Sequence, residues 1–124
     1  MLALLFGAAF GLTAVVFGAF GAHALKKKFT ADQRESFETG VRYQFYHALA
    51  LLITGFAQTA GLISPGPYTI LFIAGTILFS FSIYGLCLTA VSGAKWRFLG
   101  PVTPIGGLLL AAGWVALLVA VATG

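Results

Sequence analysis

The chain has 124 residues, of which 60% are hydrophobic and 8% charged, with a formal net charge of +4. A soluble domain carries about 25% charged residues, so this chain lacks the polar surface to face water on all sides. Composition therefore points to one membrane domain over residues 1–124, with no length left for a separate soluble unit. The basic residues are few and flank apolar runs, which favours anionic lipid headgroups over nucleic acid as partner.

An uncharged run from Leu2 to Leu25 opens the chain. A cleavable signal would begin with Lys or Arg and have a shorter apolar core, so residues 2–25 read as a retained first span. Gly7, Gly11, Ala14, Gly18 and Gly21 recur at steps of three and four, which puts them on one stripe of a helix. Small residues in that register let helices pack closely where no hydrophobic effect drives them together.

Lys26, Lys27 and Lys28 end the span. Thr30 followed by Gln33 fits a capping box. The charged residues among Ala31–Thr39, with Phe37, predict a short segment lying on the membrane surface. The second span is expected over residues 41–60. Two prolines and two glycines in Gly61–Pro67 form a turn, and the third span covers about 68–91. Lys95, Trp96, Arg97 and Phe98 make a headgroup-level loop. Thr103 and Pro104 suit the N-cap and first turn of a fourth span, about 104–122.

Gly75 and Ser82 on the third span, and Gly106 and Gly113 on the fourth, stand seven residues apart, as in a left-handed antiparallel bundle. All seven basic residues fall in the first and third connections. Lys26, Lys27, Lys28, Arg42, Lys95 and Arg97 are read as the membrane-surface set. The positive-inside rule puts both connections in the cytoplasm and both termini outside.

Chemistry has few places to reside. No Asp, Glu, Lys or Arg lies deep in a span, and no zinc or phosphate-loop spacing occurs. Ser80 and Ser82 have no intramembrane acid to orient a histidine. The lone Cys87 cannot form an intrachain disulfide and reads as a small core residue. We assign no catalytic, cofactor or metal residue. What remains is a stripe on the second span: Gln44, His47, Thr54 and Gln58 share one side, while Tyr46, Leu49, Ile53 and Phe56 face the other way. Unpaired polar groups are costly in lipid, so the stripe is expected to form a seam between helices or the wall of a small polar cavity. His23 is expected at a depth similar to His47, near the cytoplasmic boundary. A joint site would need further ligands.

Gly18–Leu25, Arg42–Leu52 and Gly100–Gly107 with Gly113 and Trp114 resemble the YgdD/YwdK-type family of small bacterial inner-membrane proteins, a domain of unknown function. The resemblance covers nearly the whole chain and implies a four-span protein, but no catalytic or binding residue. It also leads to the expectation of a smaller residue than Phe at position 81. The reading is an all-α membrane protein, four transmembrane helices in an antiparallel bundle with an interfacial segment between the first two. Its expected role is non-enzymatic, a structural, interaction or lipid-associated bundle with a homo-oligomer as one candidate form. The alternative is a small channel or transporter using the second-span stripe.

Overall fold

The computed structural model describes residues 1–124 as helices and turns, with no strand. Helix α1 covers Leu2–Ala19, α2 Ala31–Thr59, α3 Tyr68–Thr76, α4 Ser82–Val91 and α5 Val102–Thr123. A π-helical turn, Phe20–Ala24, extends α1, and a second, Ile77–Phe81, joins α3 to α4 in one rod of 24 residues. Three stretches are long and apolar enough to cross a membrane: Leu2–Ala24, Tyr68–Val91 and Arg97–Thr123. The remaining helix, α2, is the longest at 29 residues and the most polar.

The separate surface segment expected between the first two spans does not form. Thr30 and Gln33 make the capping box: Gln33 N donates to Thr30 Oγ1 at 3.1 Å, and Thr30 N to Gln33 Oε1 at 3.0 Å. From that cap the helix runs unbroken through Gly40 into its apolar half. A glycine inside a helix costs about 1 kcal/mol relative to alanine, which is why the sequence suggests a break there. Gly40 is instead buried where a Cβ would meet Cε1 of Tyr84 at 2.9 Å. Phe37 is buried one turn earlier, its ring against Phe29 and Tyr84. Tertiary packing outweighs local propensity.

Helix α1 packs chiefly on α2, and the α3–α4 rod packs on α5. Since α2 also touches the rod along its length, it links the two pairs. Small residues set both approaches. Gly7 lies against Ala48 and Leu52, Gly18 against Val41, and Gly21 against Phe37, while Gly55 of α2 receives Leu4. Gly11 has no neighbour within 4 Å of its would-be Cβ. It sits at the edge of the small-residue arc, so its expected packing role is not realised. On the other pair, Gly75 faces Leu110, Gly113 the Phe72 ring, and Gly106 the backbone of Leu78 and Phe79. Ser82 completes this row by pairing its hydroxyl with that of Thr103.

That pairing corrects the expected cap of the last helix. Helix α5 begins at Val102, with Pro101 in the cap position and no side-chain cap. The Thr103 hydroxyl faces across to the rod instead. Phe81 is likewise accommodated, its ring edge-on to Phe10, Phe17 and Tyr84 between α1 and the rod. A smaller residue there would leave that space unfilled.

Gly106→Ala places a methyl group against backbone that cannot swing aside, and should destabilise the fold by about 1–3 kcal/mol. Gly11→Ala, with open space around it, should be neutral or stabilising by up to about 1 kcal/mol. Thermal melts in detergent, followed by circular dichroism, compare the two. Equal losses would contradict this packing.

Candidate functional site

Gln44 is 0% exposed at the centre of the structure. Its Nε2 donates to Phe10 O at 2.9 Å and to Thr13 Oγ1, both on α1. Its Oε1 accepts from the Tyr84 hydroxyl of α4 at 2.6 Å. Three helices therefore meet on one primary amide, which uses both donors and one lone pair. Ser80, in the π-helical turn one helical turn before Tyr84, donates to Gly40 O at 2.8 Å. That carbonyl lies one turn before Gln44, so Ser80 and Tyr84 bind the same stretch of α2 from the rod side.

His47 connects α2 to the last helix. Its Nδ1 lies 2.7 Å from Tyr43 O, one turn back, and its Nε2 accepts from Trp114 Nε1 at 3.0 Å. The indole nitrogen can only donate and the carbonyl can only accept, so the pair fixes the neutral Nδ1–H tautomer. Rings of Phe72 and Trp114 pack on the imidazole, which is 4% exposed.

Thr54 is buried, but its hydroxyl donates to Ala50 O of its own helix at 2.8 Å. Gln58 lies at the far end of α2, donating to Tyr68 Oη at 2.8 Å, and Tyr68 in turn donates to Ser64 O. The four stripe residues thus have four separate sets of partners. The opposite side of α2, Tyr46, Leu49, Ile53 and Phe56, is exposed.

The expected similarity in depth of the two histidines does not hold. His47 pairs with Trp114, about 18 Å into α5 at 1.5 Å per residue. His23 lies in the π-helical turn at the end of α1, with its side chain exposed. Starting α2 at residue 41 would leave His47 near a boundary; starting it at Ala31 carries His47 to mid-helix. No group of three or more His, Cys, Asp or Glu side chains converges in the chain. Residue spacing does not single out the partners Thr13, Ser80, Tyr84 and Trp114, which lie on other helices. Tyr84 carried a signal, because a tyrosine hydroxyl within an apolar helix needs an acceptor.

Two clefts flank the first half of α2. One, of about 700 Å³, sets Asp32, Glu35 and Thr39 opposite Cys87, Lys95 and Thr103. It brings the first and third connections to the same end of the structure. The other, of about 220 Å³, lies between α1 and α2 and includes Gly18, Gly21, Arg34 and Arg42. Lys26, Lys27, Lys28, Arg42, Lys95 and Arg97 are all exposed.

A double-mutant cycle on Gln44→Leu and Tyr84→Phe, read from unfolding in micelles, should give a coupling energy of about 0.6–1.7 kcal/mol. Strict additivity would remove Tyr84 from the junction. His47→Ala should shift the emission of Trp114 in a Trp96→Phe background, because the indole N–H loses its acceptor.

Residues 17–107 match the model of a family described as protein of unknown function, DUF423. The chain is similar to the UPF0382 membrane protein YwdK of Bacillus subtilis, at 38% identity over 94% of this chain and 92% of the relative. It is 39% identical to the UPF0382 inner membrane protein YgdD of Escherichia coli, over 94% of this chain and 86% of that one. A UPF0382 membrane protein of Schizosaccharomyces pombe is 40% identical over 88% and 92%. No solved structure matches. Gln44, His47, Ser80 and Tyr84 all lie within the matched segment, and the chain belongs to the DUF423 family of membrane proteins.

Proposed function

We propose that the protein is a four-pass antiparallel bundle of the plasma membrane, with both termini outside, serving a structural or interaction role without catalysis. The observation that carries this reading is the closure of α1, α2 and α4 on Gln44, whose amide is 0% exposed and bonded to protein. A water-lined path along the α2 stripe would have to replace those partners and the Trp114–His47 bond. The exposed apolar side of α2 suits lipid contact, which supports counting α2 as a pass. The basic first and third connections share one end, which supports a cytoplasmic assignment for that end. Anionic headgroups there, and further copies of the chain, are the partners this reading names.

The competing reading is a small channel or transporter. The polar cleft of about 700 Å³ at the basic end favours it, as an entry for solute. Flux into liposomes separates the two. Neither wild type nor His47→Ala should conduct any ion or small solute tested, and conduction by wild type that His47→Ala abolishes would overturn the structural role. A reporter fused after Gly124 should behave as periplasmic; cytoplasmic behaviour would reverse the orientation.

A further inference from the structure

We infer that the cleft between the end of α1 and the first half of α2 binds the phosphate headgroup of an anionic phospholipid, held by Arg34 and Arg42. The inference deepens the lipid-associated part of the reading above and rests on the basic end of the bundle meeting the membrane surface. Arg34, Glu38 and Arg42 follow one another at four-residue steps, which puts them on one face of α2 beside the cleft.

That face is under-satisfied. Arg34 Nε is buried with no hydrogen-bond acceptor. Arg42 reaches only the Thr39 hydroxyl, at a long 3.4 Å. Glu38, four residues from each, hydrogen-bonds to neither guanidinium. Leaving a buried charged donor unpaired is costly, and a guanidinium fork matches two phosphate oxygens better than any other anionic group except carboxylate. Two guanidiniums against one carboxylate leave one positive charge in the cleft, which a phosphodiester balances. The exposed Lys26, Lys27 and Lys28 in the adjoining turn add to the positive field.

The other wall explains why the phosphate belongs to a lipid. It is made by Gly18, Gly21, Ala22, Phe29, Phe37 and Val41. Gly18 packs against Val41 and Gly21 against the Phe37 ring, so α1 comes close to α2 and sets an apolar surface beside the arginines. A soluble phosphate would have no use for that wall. A glycerol backbone and the top of an acyl chain would lie against it, burying apolar surface on both partners.

The test is lipid binding to the purified full-length protein in micelles, counted by native mass spectrometry. Phosphatidylglycerol should bind wild type well above phosphatidylcholine, and about tenfold more weakly to the Arg34→Gln/Arg42→Gln variant. Lys95→Gln, on the other basic loop, should keep wild-type affinity. Gly18→Leu keeps both arginines, fills the apolar wall and should also weaken binding. Undiminished phosphatidylglycerol binding to the double variant, or equal binding of phosphatidylcholine to wild type, overturns the proposal. Displacement of the lipid by inorganic phosphate at matching concentration, with Gly18→Leu unaffected, assigns the arginines to a soluble phosphate compound and overturns the lipid source. If the double variant does not fold, as judged by helicity and monodispersity, Gly18→Leu and phosphate competition on wild type decide the matter. Because binding is read in micelles, its failure is distinguishable from failure of the topology and flux assays.

Discussion

A primary amide in the middle of an apolar helix needs partners from elsewhere in the protein, and Gln44 finds them on two other helices. That requirement sets much of the rest. To reach Phe10 O and Thr13, α1 has to lie close along α2, which Gly7, Ala14 and Gly55 permit. To bring Tyr84 to the other side of the amide, the rod has to approach α2 at Gly40, where only a glycine leaves room for the ring. A lipid-facing rotation of α2 would leave the same donors and acceptor unpaired at a cost of about 1–3 kcal/mol each. The polar residue thus selects which face of α2 is inside.

The second pair of helices is joined to this junction by a different device. Gly75, Gly106 and Gly113 let the rod and α5 come together, and the closest approach is to backbone in the π-helical turn Ile77–Phe81. The same turn contributes Ser80 to the Gly40 carbonyl. A π-helical turn shifts the angular register of the residues after it relative to an unbroken α-helix. Here it allows one rod to present small residues to α5 and two hydroxyls to α2. His47, bonded to Trp114, ties α2 directly to α5 at the level of Phe72.

Much of this was legible in the residues. The capping box at Thr30, the small residues at the two helix interfaces and the buried orientation of Gln44 and His47 follow from spacing and from the cost of polar groups in lipid. What was not legible depended on contacts distant in sequence. Gly40 has the local character of a helix end, and only the Tyr84 ring explains its place inside α2. Thr103 has the character of a cap, and only Ser82 explains its pairing. The π-helical turns have no periodicity to announce them. His23 is comparable in depth to His47 only for an α2 that starts ten residues later than Ala31. Nor could the stripe be divided into its four sets of partners, since Thr54 and Gln58 differ from Gln44 in what faces them, not in their spacing.

The central claim is that the polar centre of this DUF423 family member is a closed junction and not a wetted pathway. Hydrogen–deuterium exchange of the Gln44 side-chain amide, followed by NMR on the protein in lipid bilayers, tests it most directly. The account predicts amide protons shielded for far longer than those of an exposed glutamine side chain, with protection reduced in Tyr84→Phe. Exchange as fast as that of a water-exposed amide would mean that solvent reaches the seam, and would contradict the account.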